Sequence, residues 1–163
     1  MRASDNMSER EIIVGVISDT HGLMRPEALA ALRGSHLIIH AGDVGNPEVI
    51  KALAGIAPLH VVRGNVDTGD WAGSLPMIEL VEVGERRFYV LHQVSQLDVE
   101  PASSGFAAVV FGHSHRPTIE TRDGVLFLNP GSAGPRRFKL PVTVARVGVA
   151  GARMHPEIVE LQV

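Results

Sequence analysis

The first third of this 163-residue chain alternates short apolar runs with short helical stretches. The run at 12–18 is apolar at nearly every position, which is typical of a strand buried on both faces of a parallel sheet. Two further apolar runs, 36–41 and 58–62, each follow a predicted helix, at 26–33 and 46–55. This alternation predicts an α/β fold.

Beyond residue 65 the sequence indicates short strands joined by tight turns. Hairpin patterns predict that most of these strands pair in antiparallel fashion, giving about two helices and some nine strands in all. The predicted strands are 77–83 and 86–91 around Gly84-Glu85, 107–111, 118–121 and 125–128 around Arg122-Asp123-Gly124, and two more within 142–163 around Gly151.

Composition excludes several classes of protein. Lys and Arg number 15 against 18 Asp and Glu, a formal charge of -3, so a nucleic-acid partner is disfavoured. The absence of cysteine excludes disulfide scaffolds, thiolate metal sites and thiol nucleophiles. No apolar run approaches the roughly 20 residues of a membrane span, so we expect a cytoplasmic protein. The length predicts a single domain at 11–163 after a loose polar leader at 1–10.

Five of the apolar runs end in residues that can ligate a metal. Ligands of open α/β sheets bind outside the carboxyl ends of the strands, so these side chains are expected to converge if the strands are neighbours. Two carboxylates, one amide and four imidazoles suit Mn, Fe or Zn rather than Ca or a thiolate-bound metal. The candidate ligands are Asp19, His21, Asp43, Asn65, His92, His113 and His115.

The spacing of the candidate ligands supports the same interpretation. Residues i and i+2 of an extended chain point the same way, so Asp19 with His21, and His113 with His115, can each aim both side chains at one site. A bridging carboxylate such as Asp43 can hold two metals about 3.5–4 Å apart, the separation used in phosphate ester hydrolysis. Each motif alone is more often a hydrogen-bonded strand end or a turn, so it is their shared position that predicts a metal site.

Together these motifs resemble those of the calcineurin-like metallophosphoesterases, in particular the small cap-less phosphodiesterases of bacteria and archaea. The resemblance is carried by the candidate ligands and by the stretches 17–22, 38–43 and 129–132. It implies two mixed β-sheets packed as a sandwich and flanked by helices. It also implies that Asp19, His21, Asp43 and His115 hold a first metal, and that Asp43 bridges to a second held by Asn65, His92 and His113.

The activity that the resemblance implies is hydrolysis of small phosphodiesters by a metal-bridging hydroxide, with Asp43 and Asn65 as catalytic residues. Mn is the expected metal, with Fe, Zn, Ni or Co as alternatives, and the family implies a homodimer or higher oligomer. The alternative function is a non-catalytic interaction scaffold, because the small branch also resembles a retromer subunit. The complete set of seven ligands favours the enzyme.

Two departures from the family pattern concern the loops of the site. His92 is followed by Gln93-Val94 instead of Gly-His, and Val66 stands where larger members carry a proton-donating His. Asp67 is the nearest candidate proton donor, although it can equally cap the turn after Asn65. His40 is a candidate for a residue that positions the ligands without binding the metal itself. Four arginines near the predicted site loops are candidate phosphate clamps: Arg25, Arg63, Arg116 and Arg136.

Overall fold

The computed structural model describes residues 10–163, so the predicted leader lies, except for Arg10, outside the described residues. In this range two α-helices, α1 (Pro26–Leu32) and α2 (Pro47–Ala54), and two short 3-10 helices accompany ten strands. The strands are β1 (Ile12–Ile17), β2 (Leu37–His40), β3 (Leu59–Val61), β4 (Ile78–Val83), β5 (Arg86–Leu91), β6 (Ala108–Val110), β7 (Thr118–Arg122), β8 (Val125–Asn129), β9 (Thr143–Ala150) and β10 (Arg153–Glu160).

The first sheet has the strand order β10-β9-β1-β2-β3. Its strands β1, β2 and β3 run parallel, with Val14 opposite Leu37. The C-terminal strands β9 and β10 add an antiparallel pair beside β1. The parallel half of this sheet matches the prediction from the apolar runs, because strands buried on both faces need no alternation of polar residues.

The second sheet has the order β4-β5-β6-β8-β7. The outer pairs β4-β5 and β7-β8 are the predicted antiparallel hairpins. Its centre differs from the expectation, because β5, β6 and β8 run parallel to one another. The connections at 92–107 and 111–124 are long enough to return the chain to the same end of the sheet. As a result, β5 and β6 both end at the same edge.

The two sheets pack face to face, which confirms the predicted sandwich. Val16 of β1 and Phe88 of β5 belong to the apolar layer between them. Both helices cover the outer face of the first sheet, where Leu32 and Leu53 pack against Ile38. The outer face of the second sheet is covered instead by the segment at 94–106.

Both helices begin at a proline, as predicted from the sequence. The side chain of Asn46 caps α2 by accepting a hydrogen bond from the Val49 amide at 3.2 Å. The two helices have seven and eight residues, and no helix of the described chain is long and apolar enough to cross a membrane.

Candidate metal centre

Six of the seven predicted ligands form two groups at one edge of the sandwich. In each group, one ligand atom per residue lies within 4.8 Å of the others. The loops after β1, β2, β5 and β6 supply these residues, so both sheets contribute to the site. The first group is Asp19, His21 and His115, and the second is Asp43, His92 and His113.

Asp43 lies between the two groups. Its Oδ2 atom is 3.2 Å from His92 Nε2 and 3.7 Å from His21 Nε2. Its Oδ1 atom accepts a hydrogen bond from the Val66 amide at 3.0 Å, which fixes the orientation of the carboxylate. One oxygen therefore faces ligands of both groups, as a bridging ligand requires.

Asn65 lies in the loop after β3, directly before the residue whose amide binds Asp43. It lines a small cavity of about 210 Å³ together with His92 of the second group. Arg63 and Met77 line the same cavity. The structure therefore places the seventh predicted ligand beside the second group.

The carboxylate of Asp67 is buried and fully occupied by backbone amides. It accepts hydrogen bonds from Val44 at 3.1 Å, Gly45 at 2.9 Å and Gly64 at 2.9 Å. These contacts join the loop after β2 to the loop after β3. The structure thus places Asp67 as a support of the loops that carry Asp43 and Asn65.

The backbone at this centre adopts a conformation that L-residues avoid. Seven described residues other than glycine have a positive φ, and five of them are predicted ligands. Each such residue costs about 1–3 kcal/mol and persists only because the surrounding structure holds it in place, and such strain clusters at functional sites. The five are Asp19 (55°), His21 (47°), Asp43 (57°), His113 (75°) and His115 (64°).

The carboxylate of Asp19 is held from one side only. Its Oδ2 atom accepts hydrogen bonds from Ser18 Oγ at 2.6 Å and from the His113 amide at 3.1 Å. Its Oδ1 atom faces His115 Nε2 at 3.4 Å and His21 Nε2 at 3.8 Å. Gly112 lies so close to Ser18 and Asp19 that a Cβ atom there would clash with both side chains.

Hydrogen bonds behind two histidines set their tautomers. His92 Nδ1 lies 2.7 Å from the Ala41 carbonyl and donates to it, so the lone pair is on Nε2, which faces Asp43. His40, which the sequence suggested as a support, is completely buried. Its Nδ1 accepts from the Gly42 amide at 3.1 Å, and its Nε2 therefore donates to Thr20 Oγ1 at 3.0 Å.

Burial and charge act in opposite directions on the acids of the centre. Burial alone would raise the pKa of Asp19, but the adjacent His115 and His21 rings and the hydrogen bond from Ser18 lower the pKa well below its usual range. Burial likewise opposes ionisation of Asp43, and His92 with the Val66 amide outweighs it and lowers the pKa. Both carboxylates are therefore ionised near neutral pH.

The two central histidines have opposite shifts. Burial lowers the pKa of His40 to about 4, so this ring is neutral near pH 7. Burial also disfavours charge on His92, but the neighbouring carboxylates of Asp43 and Asp19 raise its pKa above the usual value. A metal must compete with a proton for His92, so metal binding is expected to weaken as the pH falls.

The donor set fits divalent metal ions. Asp19 Oδ1, His92 Nε2 and His115 Nδ1 are buried side-chain atoms without a hydrogen-bond partner among the described residues. Leaving a buried polar atom unpaired costs about 1–3 kcal/mol, and a bound cation would satisfy the carboxylate oxygen and the imidazole lone pair. Carboxylates and neutral imidazoles without thiolates suit Mn, Fe or Zn.

Three of the four candidate phosphate clamps instead bind backbone carbonyls. Arg25 donates to Gly134 at 3.1 Å, Arg63 donates to Asp67 at 3.1 Å, and Arg136 donates to Leu140 at 3.3 Å. Arg116 is exposed and directly follows His115.

Several supporting residues had no assigned role in the sequence analysis. Ser132 Oγ donates to the Asp19 carbonyl at 2.9 Å, and Thr20 links His40 to the Val44 carbonyl. Asn129, at the end of β8, donates to the Gly112 carbonyl at 3.1 Å. The sequence signal for Asn129 and Ser132 was their position in the stretch 129–132, which carries part of the family resemblance.

Comparisons with known proteins identify the family of this chain. Residues 12–151 match the family model of the calcineurin-like phosphoesterase superfamily domain. A probable metallophosphoesterase of Methanothermobacter thermautotrophicus is 32% identical over 160 residues, covering 91% of this chain and 92% of the relative.

Solved structures share the fold. An archaeal phosphodiesterase superposes with a TM-score of 0.75 at 23% identity, covering 91% of this chain and 100% of that one. Vps29 of Entamoeba histolytica in complex with Zn²⁺ superposes with a TM-score of 0.66 at 21% identity, covering 91% and 99%. The family match spans most of the described chain and includes every candidate ligand, so the chain belongs to the calcineurin-like phosphoesterase superfamily.

Proposed function

We propose that this protein is a phosphodiesterase that hydrolyses small phosphodiesters with two divalent metal ions. The position of Asp43 between the two ligand groups carries the proposal, because its Oδ2 atom faces His21 of one group and His92 of the other. When bound, such ions supply an activated water nucleophile and neutralise charge on the phosphoryl oxygens.

The ligand roles follow from the two groups. Asp19, His21 and His115 would hold one ion, His92, His113 and Asn65 would hold the other, and Asp43 would contact both. We propose Mn²⁺ as the metal, with Fe, Zn, Ni or Co as alternatives that the same donor set accepts.

The residues around the ligands keep the site in its binding geometry. The Ala41 carbonyl holds the Nδ1 proton of His92 and keeps Nε2 available toward Asp43. Ser18 and the His113 amide occupy one oxygen of Asp19 and leave the other directed at the histidines. Such preorganisation lowers the reorganisation needed when charge develops on the phosphoryl group.

The position of Val66 determines how the leaving group departs. Its side chain is 47% exposed beside Asn65 and has no proton to donate. Asp67 cannot readily take over, because its carboxylate accepts three backbone hydrogen bonds. We therefore assign Asp67 a positioning role and infer that the leaving oxygen departs without a protonating side chain from this loop.

A non-catalytic scaffold is the second candidate, supported by the shared fold with Vps29. Binding of metal does not distinguish the two functions, because that Vps29 structure holds Zn²⁺. The full ligand set and the fixed tautomer of His92 favour the enzyme. Turnover is therefore the measurement that decides.

The proposal is tested with Asp43→Asn, assayed with bis(4-nitrophenyl) phosphate and 4-nitrophenyl phosphate in the presence of Mn²⁺. We expect wild type to hydrolyse the diester faster than the monoester. Loss of the carboxylate that would contact both ions should reduce diester turnover by at least about 100-fold. The amount of bound metal should fall as well. Asp123→Asn, an exposed carboxylate in the β7-β8 turn, is the matched control and should retain full turnover. An Asp43→Asn protein with full metal content and wild-type turnover would contradict the two-metal assignment.

A further inference from the structure

A tight turn at 137–140 displays an aromatic ring in solvent. The Leu140 amide donates to the Arg137 carbonyl at 3.1 Å and closes the turn, with Phe138 and Lys139 at its tip. The Phe138 side chain is 92% exposed and its φ is 54°. A bulky residue with positive φ is a strained outlier, and an exposed ring gains no burial in return. Stability of the fold therefore does not account for Phe138.

The turn is held in place at both ends. Pro135 precedes it and Pro141 follows it, and each fixes its own φ. Between them, the Arg136 guanidinium donates to the Leu140 carbonyl at 3.3 Å and to the Val163 carbonyl at 3.4 Å. A ring presented from a braced turn loses little conformational entropy when it binds a ligand.

The turn adjoins the metal centre. Gly134, which leads into it, donates to Ser132 Oγ at 3.2 Å, and Ser132 in turn donates to the Asp19 carbonyl at 2.9 Å. On the other side, Arg116 directly follows the candidate ligand His115. Arg116, Phe138, Lys139 and Leu140 together line a depression of about 540 Å³. One residue that lines the depression, Arg116, is therefore the chain neighbour of a ligand of the first group.

The segment that carries the turn is strongly cationic in a chain whose net charge is -3. Residues 124–156 contain no Asp or Glu but five Arg and Lys. Two cationic side chains, Arg116 and Lys139, line the depression together with Phe138. Such a surface attracts anions and presents an aromatic side chain in the same depression as two positive charges.

We propose that Phe138, Arg116 and Lys139 form a subsite for nucleotide-type phosphodiesters, in which a nucleobase stacks on the Phe138 ring. The inference rests on the proposed phosphodiesterase function and specifies its substrate class. Every base has a π-face that stacks on an aromatic side chain, so the subsite would accept different bases. Arg116 and Lys139 would attract the phosphate charge and guide it toward the adjacent ligands.

The test compares ligands that differ only in the base. Thymidine 5′-monophosphate and 2-deoxyribose 5-phosphate are titrated by calorimetry into the full-length, Mn²⁺-loaded protein. We expect wild type to bind the nucleotide about tenfold more tightly, in line with the contribution of one stacked base. Phe138→Ala should abolish this preference and Phe138→Trp should retain it. Leu80→Ala, which removes another exposed apolar side chain on β4, is the control and should keep the preference.

A parallel assay compares thymidine 5′-(4-nitrophenyl phosphate) with methyl 4-nitrophenyl phosphate, which share a leaving group. The kcat/KM ratio of the two esters should fall about tenfold in Phe138→Ala. An equal preference for the base-containing ligand in wild type and Phe138→Ala would overturn the subsite. If Phe138→Ala also lost an oligomer that wild type forms in sedimentation, the turn would instead be assigned to an interface between copies. Failure of wild type to hydrolyse either ester would contradict the proposed function, and the calorimetric preference would still decide the subsite.

Discussion

At the scale of single residues, the carboxylates of Asp43, in the loop after β2, and Asp67, in the loop after β3, differ in how many of their oxygens are already hydrogen-bonded. Asp43 uses one oxygen for the Val66 amide and keeps the other facing His92 and His21. Asp67 uses both oxygens for backbone amides. The sequence could identify both residues as candidates, but only the structure shows which carboxylate is free to bind a metal.

Val66 leads to a prediction about leaving groups. A general acid at this position would contribute about 10²–10⁴-fold, and valine cannot supply it. We expect the rate for a series of aryl and alkyl phosphodiesters to fall steeply as the pKa of the leaving alcohol rises. Val66→His should flatten this dependence, because the side chain at this position is exposed and a histidine there can reach solvent and substrate.

The role of Asp67 is tested in the same series. If the rate depends only weakly on the pKa of the leaving alcohol in wild type and more steeply in Asp67→Asn, Asp67 is the proton donor. The positioning role predicts instead that the slope in Asp67→Asn equals that of wild type, whatever happens to the absolute rate.

His40 leads to a prediction about pH. Its pKa is lowered from 6.5 to about 4 by burial, so the folded chain keeps the ring neutral while the unfolded chain takes up a proton as the pH falls below 6.5. Stability from His40 is therefore present above pH 6.5 and is lost as the pH falls toward 4, by about 2 kcal/mol between pH 7 and pH 5. Urea denaturation of metal-free protein measures this loss.

The matching variant is His40→Gln, whose amide can still donate toward Thr20. We expect its free energy of unfolding to be lower than that of wild type at pH 7 and to depend less on pH. Parallel pH dependences of the two proteins would show that His40 does not carry this contribution.

At the scale of elements, Asp67 joins the loop after β2 to the loop after β3. Asp67→Asn would place an NH₂ group among the amides of Val44, Gly45 and Gly64, which are all donors. We expect a loss of about 2 kcal/mol in the free energy of unfolding, because hydrogen bonds to a charged group are lost and a buried donor is left unpaired. Asp70→Asn in the same loop is exposed and should change stability little. A wild-type unfolding curve for Asp67→Asn would contradict this role.

Most elements could be predicted from local sequence because their signals are local. The prolines that open α1 and α2 and the two-residue turn between β4 and β5 lie within the segments they define. The parallel pairing of β5, β6 and β8 could not be predicted in this way. It depends on which strands meet after long connections, and a hairpin pattern reports only its own pair.

At the scale of the whole molecule, the candidate metal centre forms because the carboxyl ends of parallel strands in two facing sheets meet at one edge. Five of the apolar runs were predicted to end in candidate ligands, and the family resemblance predicted the sandwich that brings both sheets together. The backbone strain at the five ligands with positive φ could not be predicted, because Asp and His are enriched in that conformation but only a small fraction of them adopt it. The supporting hydrogen bonds of Ser132 and Asn129 likewise depend on contacts between distant segments.

The central claim, that two ions at this edge catalyse diester hydrolysis, is tested most directly by titrating Mn²⁺ into chelator-treated wild type. Bound Mn²⁺ and the turnover of bis(4-nitrophenyl) phosphate are measured in the same samples. The account predicts no turnover without metal, and turnover that rises with the metal bound and reaches its maximum at two ions per chain. Saturation at two ions without turnover, or full turnover in the metal-free protein, would contradict it.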